Sequence, residues 1–228
     1  MSEKQAEERI EQLCDVSRET MDRLEIYAEL LEKWNPSINL VSKTTLPEKW
    51  QRHFLDSAQV WPHVPKDAKK LVDIGSGAGF AGLVLAIIAM EKSPNLSFTL
   101  IESDARKCAF MRNTARAVGL GVEIQTKRIE SAENLSADVL TARALATVST
   151  LLSYGENILA PPGCCLFLNG EACATEVAEP RASWDFAPPD TNSMTPPSGN
   201  PLQLYVTRHV TADNTQRINR QSQRTARL

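Results

Sequence analysis

The chain has 228 residues, 42% of them hydrophobic, and a formal net charge of −3 at pH 7. That is enough apolar material for one large core, and with 25 Lys and Arg against 28 Asp and Glu it gives no global pull toward nucleic acid, so any such site must be a local basic patch. No run approaches about 18 consecutive apolar residues, which excludes a membrane-spanning helix, and the first eight residues lack the apolar core of a secretory signal.

Residues 3–34 carry Ile10, Leu13, Met21, Leu24, Tyr27, Ala28, Leu31 and Trp34 at three- and four-residue spacing. This predicts two amphipathic helices meeting near Cys14–Arg18, their acidic remainder forming a solvated face. Pro36 disfavours helical geometry at Asn35, so the helix is expected to end at Trp34-Asn35-Pro36. After Asn39-Leu-Val-Ser42, Pro47 is placed to open a further helix running to about Trp61. His53, Asp56 and Ser57 fall within one turn of it. A hydrolytic triad needs partners converging from different elements, so these three form at most a hydrogen-bonding cluster. Lys33, Lys43, Lys49 and Arg52 are candidate phosphate contacts, although scattered surface lysines are the plainer reading.

Residues 70–89 read as strand, glycine loop and helix in succession. Leu71, Val72 and Ile74 suit a buried parallel strand. Gly75, Gly77 and Gly79 allow positive φ and close backbone approach, and the apolar run from Phe80 to Ala89 suits a helix pressed on a sheet, with N–H groups at its start free to face a ligand. Gly77-Ala-Gly79-Phe-Ala-Gly82 satisfies the dinucleotide pattern GxGxxG, which alone is weak. Read from Asp73, however, an acidic residue stands two before Gly-x-Gly-x-Gly, and Glu102 ends the next strand (Leu96–Ile101). A dinucleotide wants a helix N-terminus for its pyrophosphate. S-adenosylmethionine (AdoMet) has no phosphate and wants open backbone and carboxylates. Glu102 can take both ribose hydroxyls, and Asp73 with the extra glycine favours AdoMet.

Ser103 is placed to cap a helix from Asp104 to about Val118, with Cys108, Met111, Ala115 and Val118 facing the sheet and Arg106, Lys107, Arg112 and Arg116 mostly elsewhere. Val122–Thr126 predicts a third strand, and Arg128-Ile129-Glu130 follows it on the ligand edge of an open α/β sheet. There Glu130 could accept from an adenine amino group, although an isolated Arg-x-Glu also reads as a surface ion pair. Asp138–Arg143 predicts a fourth strand, leaving Arg143 beside the cleft. A helix over Thr147–Leu159 is stopped by Pro161-Pro162-Gly163, and Cys164–Leu168 is a fifth strand. Its adjacent cysteines point to opposite faces, and the five cysteines (with Cys14, Cys108 and Cys173) contain no CxxC pair, so reduced thiols of a cytoplasmic protein are expected, and no metal site. Residues 180–201 read as irregular loop, Leu202–Thr207 as a last strand at the far edge, and the tail carrying Arg217, Arg220, Arg224 and Arg227 as solvated.

These elements predict a mostly parallel α/β sheet with helices on both faces. The expected division is a helical extension over 1–66, an AdoMet-binding domain over 67–210 and a basic tail over 211–228. Several segments together carry a resemblance: Trp34-Asn35 with Asn39-Leu-x-Ser42, His53-x-x-Asp56-Ser57, Asp73-Ile-Gly-Ser-Gly-Ala-Gly-Phe80, Leu100-Ile-Glu-Ser103 with Arg106-Lys107, Arg128-Ile-Glu130 and Ala142-Arg-Ala144. In this order and spacing the chain resembles the bacterial small-subunit ribosomal RNA guanine-N7 methyltransferases, the glucose-inhibited division protein B family. The resemblance implies a class I methyltransferase fold, AdoMet as donor, and a guanine in the decoding-region loop of 16S rRNA as acceptor. It places AdoMet contacts on Gly75, Phe80, Ile129, Glu130 and Arg143. Arg143 is further expected to position donor or substrate, with Asn39, His53 and Asp56 shaping the guanine side; a monomer acting on the small subunit follows. Two departures stand out. The family commonly has Phe-Pro-Gly where this chain has Phe80-Ala81-Gly82, and Lys-Gly where it has Asn169-Gly170. A methyltransferase with another acceptor and a non-catalytic AdoMet-binding assembly factor are the competing readings. A nicotinamide dehydrogenase would need a second nucleotide-binding half, which is not visible.

Overall fold

The computed structural model of the chain describes residues 1–132, 135–143, 145–169, 184–186 and 203–209. Two helices come first and meet where the spacing predicts. α1 (Glu3–Cys14) opens on a reciprocal cap in which the Ser2 hydroxyl accepts from the Gln5 N–H and the Gln5 side chain accepts from the Ser2 N–H. α2 (Arg18–Ile38) does not end at Pro36 but runs through it and stops at Asn39, in left-handed geometry with φ of 48°. Pro36 removes a single hydrogen bond, to the exposed Glu32 carbonyl, in a turn where the ladder is closing anyway. The Asn35 side chain then ties down the exit by accepting from the Val41 N–H at 2.8 Å.

The single helix expected from Pro47 to about Trp61 is instead four short pieces. A 3₁₀ turn (Leu46–Glu48) leads into a π-helical stretch (Trp50–Leu55), then α3 (Asp56–Ala58) and a 3₁₀ turn (Trp61–His63). The widened backbone buries Trp50, Gln51, His53, Phe54 and Leu55 together, more than one stripe of a regular helix could.

The sheet contains β1 (Lys70–Ile74), β2 (Ser97–Glu102), β3 (Glu123–Thr126), β4 (Ala137–Arg143), β5 (Leu159–Asn169), β6 (Trp184–Phe186) and β7 (Gln203–His209), in the order β3-β2-β1-β4-β5-β7-β6. The first five are parallel, and β7 is antiparallel to both β5 and β6. The last strand is therefore inserted rather than at the edge. The edge is β6, whose three residues are too few to show alternation in a segment expected to be loop. Pro161-Pro162-Gly163 lies inside β5 rather than merely ending the helix before it. Regular pairing with β4 starts only at Cys164, after a register shift between Ala137 and Val139. Gly163 fits that bulge because a Cβ there would stand 2.7 Å from the Ala160 carbonyl oxygen.

Three crossover helices complete the fold: α4 (Gly82–Lys92), α5 (Ala105–Ala117) and α6 (Val148–Ile158). α5 is capped by Asp104, not Ser103, its carboxylate accepting from the Arg106 and Lys107 N–H groups. α4 is buried throughout Gly82–Ala89 because the sheet covers one side and the N-terminal helices the other. One core thus joins Ala6, Ile10, Leu24 and Tyr27 to Leu83, Leu100 and Met111, while a second, beneath α6, holds Ile74, Leu140 and Leu151. Cys164 belongs to the first and Cys165 to the second, as their adjacency on a strand requires. Cys14, Cys108, Cys164 and Cys165 are buried; Cys173, Ala144, Gly170 and the tail 211–228 lie outside the described residues. Among the described residues no helix is long and apolar enough to cross a membrane, and no cluster of metal-ligating side chains occurs.

Candidate active site

Strand order reverses at β1, between β2 and β4, so the carboxyl ends of these three strands flank the crevice where open α/β sheets bind ligands. The residues at those ends are Asp73 with the glycine loop, Glu102 and Arg143. Gly75, Gly77 and Gly79 have φ of 62°, 57° and 98°, which L side chains rarely adopt. Gly82 is required for another reason. A Cβ there would stand 2.8 Å from Asp73 Oδ2 and 2.9 Å from Leu100 Cγ, so only glycine lets α4 start against β1.

The N–H groups of the loop are less open than expected. Gly79 donates to the Ser76 carbonyl and Leu83 to the Gly79 carbonyl, each at 2.7 Å. Gly77 donates to Glu102 Oε2 at 2.9 Å. Glu102 Oε1 meanwhile accepts from the Asp104 N–H at 2.8 Å, so this buried carboxylate is locked between the glycine loop and the cap of α5. Asp73 is deeper. Its Oδ1 accepts from the Thr141 hydroxyl at 2.7 Å, whereas Oδ2 has no short hydrogen-bond partner, the Gly82 N–H only lying near enough to favour the charge. Burial pushes its pKa up to about 6 against the pull of these donors.

Arg143 forms the other wall. Its Nη2 donates to the Arg52 carbonyl and to His53 Nδ1, the latter at 3.0 Å, and lies 3.6 Å from Asp56 Oδ2. The guanidinium stands over the Phe80 ring, 5.7 Å from its centroid. Burial lowers the Arg143 pKa and the nearby Asp56 carboxylate opposes this. Burial also drives the His53 pKa down to about 3, with Arg143 and Arg52 adding to the effect, so the ring is neutral. Thus the His-x-x-Asp cluster, expected as a hydrogen-bonding group within one helical turn, is buried and grips the strand-end arginine. Phe80 lies at the centre of an aromatic group, stacked on His53 at 5.1 Å and on Tyr27 at 5.3 Å, so its ring faces the core beneath Arg143.

The remaining predicted residues sit further out. Ile129 and Glu130 form a 3₁₀ turn after β3, with Ile129 packed on the α6 core and Glu130 exposed, accepting from the Tyr154 hydroxyl at 3.2 Å. Asn39 is exposed at the end of α2, and among the described residues nothing connects its side chain to the strand ends. Lys49 is no phosphate contact: its ammonium is buried against Glu3 and Glu32 at 2.6 and 2.9 Å. Three groups escaped the sequence reading. Tyr27 lies in the core as its spacing predicts, and its hydroxyl also donates to the Ala78 carbonyl of the glycine loop at 2.6 Å. Thr45 and Thr141, which support His53 and Asp73, carry no motif; only the alternation of β4 could have placed Thr141 beside Asp73.

The residues suit AdoMet. Where a Cβ at Gly77 would stand there is open space, the nearest atom being the Gly75 carbonyl oxygen at 3.8 Å. Over Gly75 the space is held by the half-exposed Leu145 side chain, the flexible kind of neighbour that can move. The donor is a cation, and the buried Asp73 carboxylate retains an oxygen without a short hydrogen bond.

Comparison with known proteins agrees. The family model of rRNA small subunit methyltransferase G (GidB) matches residues 20–201. The chain is 47% identical over 190 residues to the ribosomal RNA small subunit methyltransferase G of Ruegeria sp. (strain TM1040), covering 83% of this chain and 92% of that one. With the Rhodospirillum centenum protein of the same name it shares 48% over 189 residues, 83% and 85% of the two chains. Among solved structures, a methyltransferase from Geobacter sulfurreducens has a similar fold (TM-score 0.54, 14% identity, 83% and 90% coverage). So has the O-methyltransferase TomG from Streptomyces achromogenes in complex with SAM (TM-score 0.54, 12% identity, 83% and 90% coverage). A family model matched over residues 20–201, with relatives 47–48% identical over 83% of the chain, shows that the chain belongs to the rRNA small subunit methyltransferase G family.

Proposed function

We propose that this enzyme transfers the methyl group of AdoMet to N7 of a guanine in the decoding-region loop of 16S rRNA. The observation that carries the reading is the juxtaposition of Glu102, Asp73 and Arg143, two carboxylates and one cation, at the ends of three neighbouring strands around the glycine loop. The donor supplies an electrophilic methyl on a sulfonium sulfur, and guanine N7 carries a lone pair and no proton, so no general base is required. The chemistry asks the protein for positioning and for electrostatics. Glu102 holds the donor's ribose while keeping Gly77 in place, Asp73 balances its positive charge, and Gly75, Gly77, Ile129 and Glu130 bound its remaining surface. Phe80 supports the cleft floor. Arg143 orients donor or guanine, with His53 and Asp56 fixing its direction. The exposed Asn39 is assigned to the RNA side, where the target base must be unstacked to enter.

The chain works as a cytoplasmic monomer on the small subunit, with the extension 1–66 and the domain 67–210 acting together. The absent base predicts a rate of methyl transfer that is flat from about pH 7 to 9. The direct test incubates purified protein and radiolabelled AdoMet with small subunits from a strain lacking it. Label in 16S rRNA, mapped by cleavage at N7-methylguanosine, is the expected result. AdoMet binding without any label would reassign the chain to a non-catalytic role.

A further inference from the structure

The Arg143–His53 contact continues beyond the ring. Nη2 of Arg143 can only donate, so His53 Nδ1 must accept. A neutral imidazole then carries its proton on Nε2, and Nε2 lies 3.0 Å from Thr45 Oγ1, which accepts it. The Thr45 hydroxyl proton is left to donate to the Ser42 carbonyl at 3.2 Å, or to Ser42 Oγ at 2.9 Å. The Phe80 ring stacked on His53 with an interplanar angle of 26° resists rotation of the imidazole. The chain of bonds therefore runs from the exposed Ser42 turn, through Thr45 and His53, to the guanidinium at the end of β4.

We propose that Thr45 is a positioning residue for methyl transfer, fixing the Nε2–H tautomer of His53 and through it the direction of Arg143. Without an acceptor at residue 45, the tautomer protonated on Nδ1 becomes competitive. It would set an N–H against the guanidinium N–H, donor facing donor, and release Arg143 from one of its three anchors, the Arg52 carbonyl and Asp56 remaining. The inference deepens the reading of Arg143 as the group that orients donor or guanine and rests on it.

The test compares Thr45→Val, which keeps the shape and removes the hydroxyl, with Thr45→Ser, which keeps the hydroxyl. Each is read three ways: methyl transfer to small subunits at saturating AdoMet, AdoMet affinity by calorimetry, and the His53 tautomer by long-range ¹H–¹⁵N correlation, feasible in a chain with only three histidines. T45V is expected to lose about tenfold in transfer, to bind AdoMet within about twofold of the parent and to show a population of Nδ1-protonated His53 that the parent lacks, with T45S close to the parent in all three. Thr45→Ala repeats the reading if T45V does not fold. Parent-like transfer with an unchanged tautomer in the hydroxyl-free variants overturns the proposal. Equal loss in T45S and T45V with the tautomer held also overturns it, in favour of packing. Arg143→Gln separates the two claims. Full transfer by R143Q would sink the Arg143 reading alone, while the tautomer in T45V still judges the Thr45–His53 link.

Discussion

The two walls of the crevice are supported from different parts of the chain. The acidic wall is held from within the sheet domain: Thr141 of β4 donates to Asp73, and Glu102 is fastened by the Gly77 and Asp104 backbone. The cationic wall is held from outside it, Arg143 being gripped by Arg52, His53 and Asp56, which precede the first strand. A glycine loop and an acidic strand end are parts that many donor-binding sheets need. On the proposed function, the grip on Arg143 serves the acceptor side of the reaction. Damage to the two walls should therefore separate into lost donor affinity and lost transfer.

The sharpest way to break this division is Arg143→Gln. Transfer at saturating AdoMet should fall about 10²–10³-fold, as when one preorganised charge-stabilising donor is lost, while calorimetry shows AdoMet affinity within about threefold. An equal loss in both would merge the walls into one site. Next comes Glu102→Ala, which frees the Gly77 N–H and removes a carboxylate. AdoMet affinity should weaken about 10- to 100-fold, with the transfer rate at saturation nearly kept.

The third prediction concerns stability. The folded-state pKa of His53 is depressed from 6.5 to about 3, so between these values the unfolded chain binds more protons, and the stability this neutral ring contributes is lost as pH falls from about 6.5 toward 3. Asp73 runs the other way. Its pKa is raised from 3.8 to about 6, so its contribution is present below about pH 4 and is lost as pH rises through about 6. Urea unfolding of His53→Asn should accordingly show a loss between pH 6.0 and 4.5 that is smaller than the parent's by about 2 kcal/mol. Asp73→Asn should differ with the opposite sign. The smallest effect sharpens the comparison. Tyr27→Phe leaves the Ala78 carbonyl without its donor, at about 1 kcal/mol and about 2–4 °C in Tm. It should weaken AdoMet binding slightly more than transfer, because α2 here reaches the donor's loop.

How much of this was legible in the sequence follows the same division. Asp73, the glycines and Glu102 were readable because strand, loop, helix and strand are contiguous, and local periodicity carries their geometry. Arg143 was placed at a strand end by the same logic. Its partner was not, since His53 is 90 residues away and sits on a π-helical turn that no spacing rule announces. A regular helix over the segment, as expected, would have given it one buried stripe, and the widened one buries nearly all of it. Thr45 had no signal at all, being one hydroxyl among several in a polar turn. Pro36 misled in the opposite direction, a strong local rule overridden in a last turn that had little left to lose.

The bond between Tyr27 and the Ala78 carbonyl spans 51 positions, and this has a consequence for the order of synthesis. α1 and α2 leave the ribosome before the glycine loop, with the apolar faces of Leu24, Tyr27 and Leu31 made and α4 not yet there to cover them. Their partners, the glycine loop and α4, emerge only later. The nascent chain therefore cannot complete α1 and α2 as an independent unit. It must hold that surface until α4 has been made, and then close both around one core.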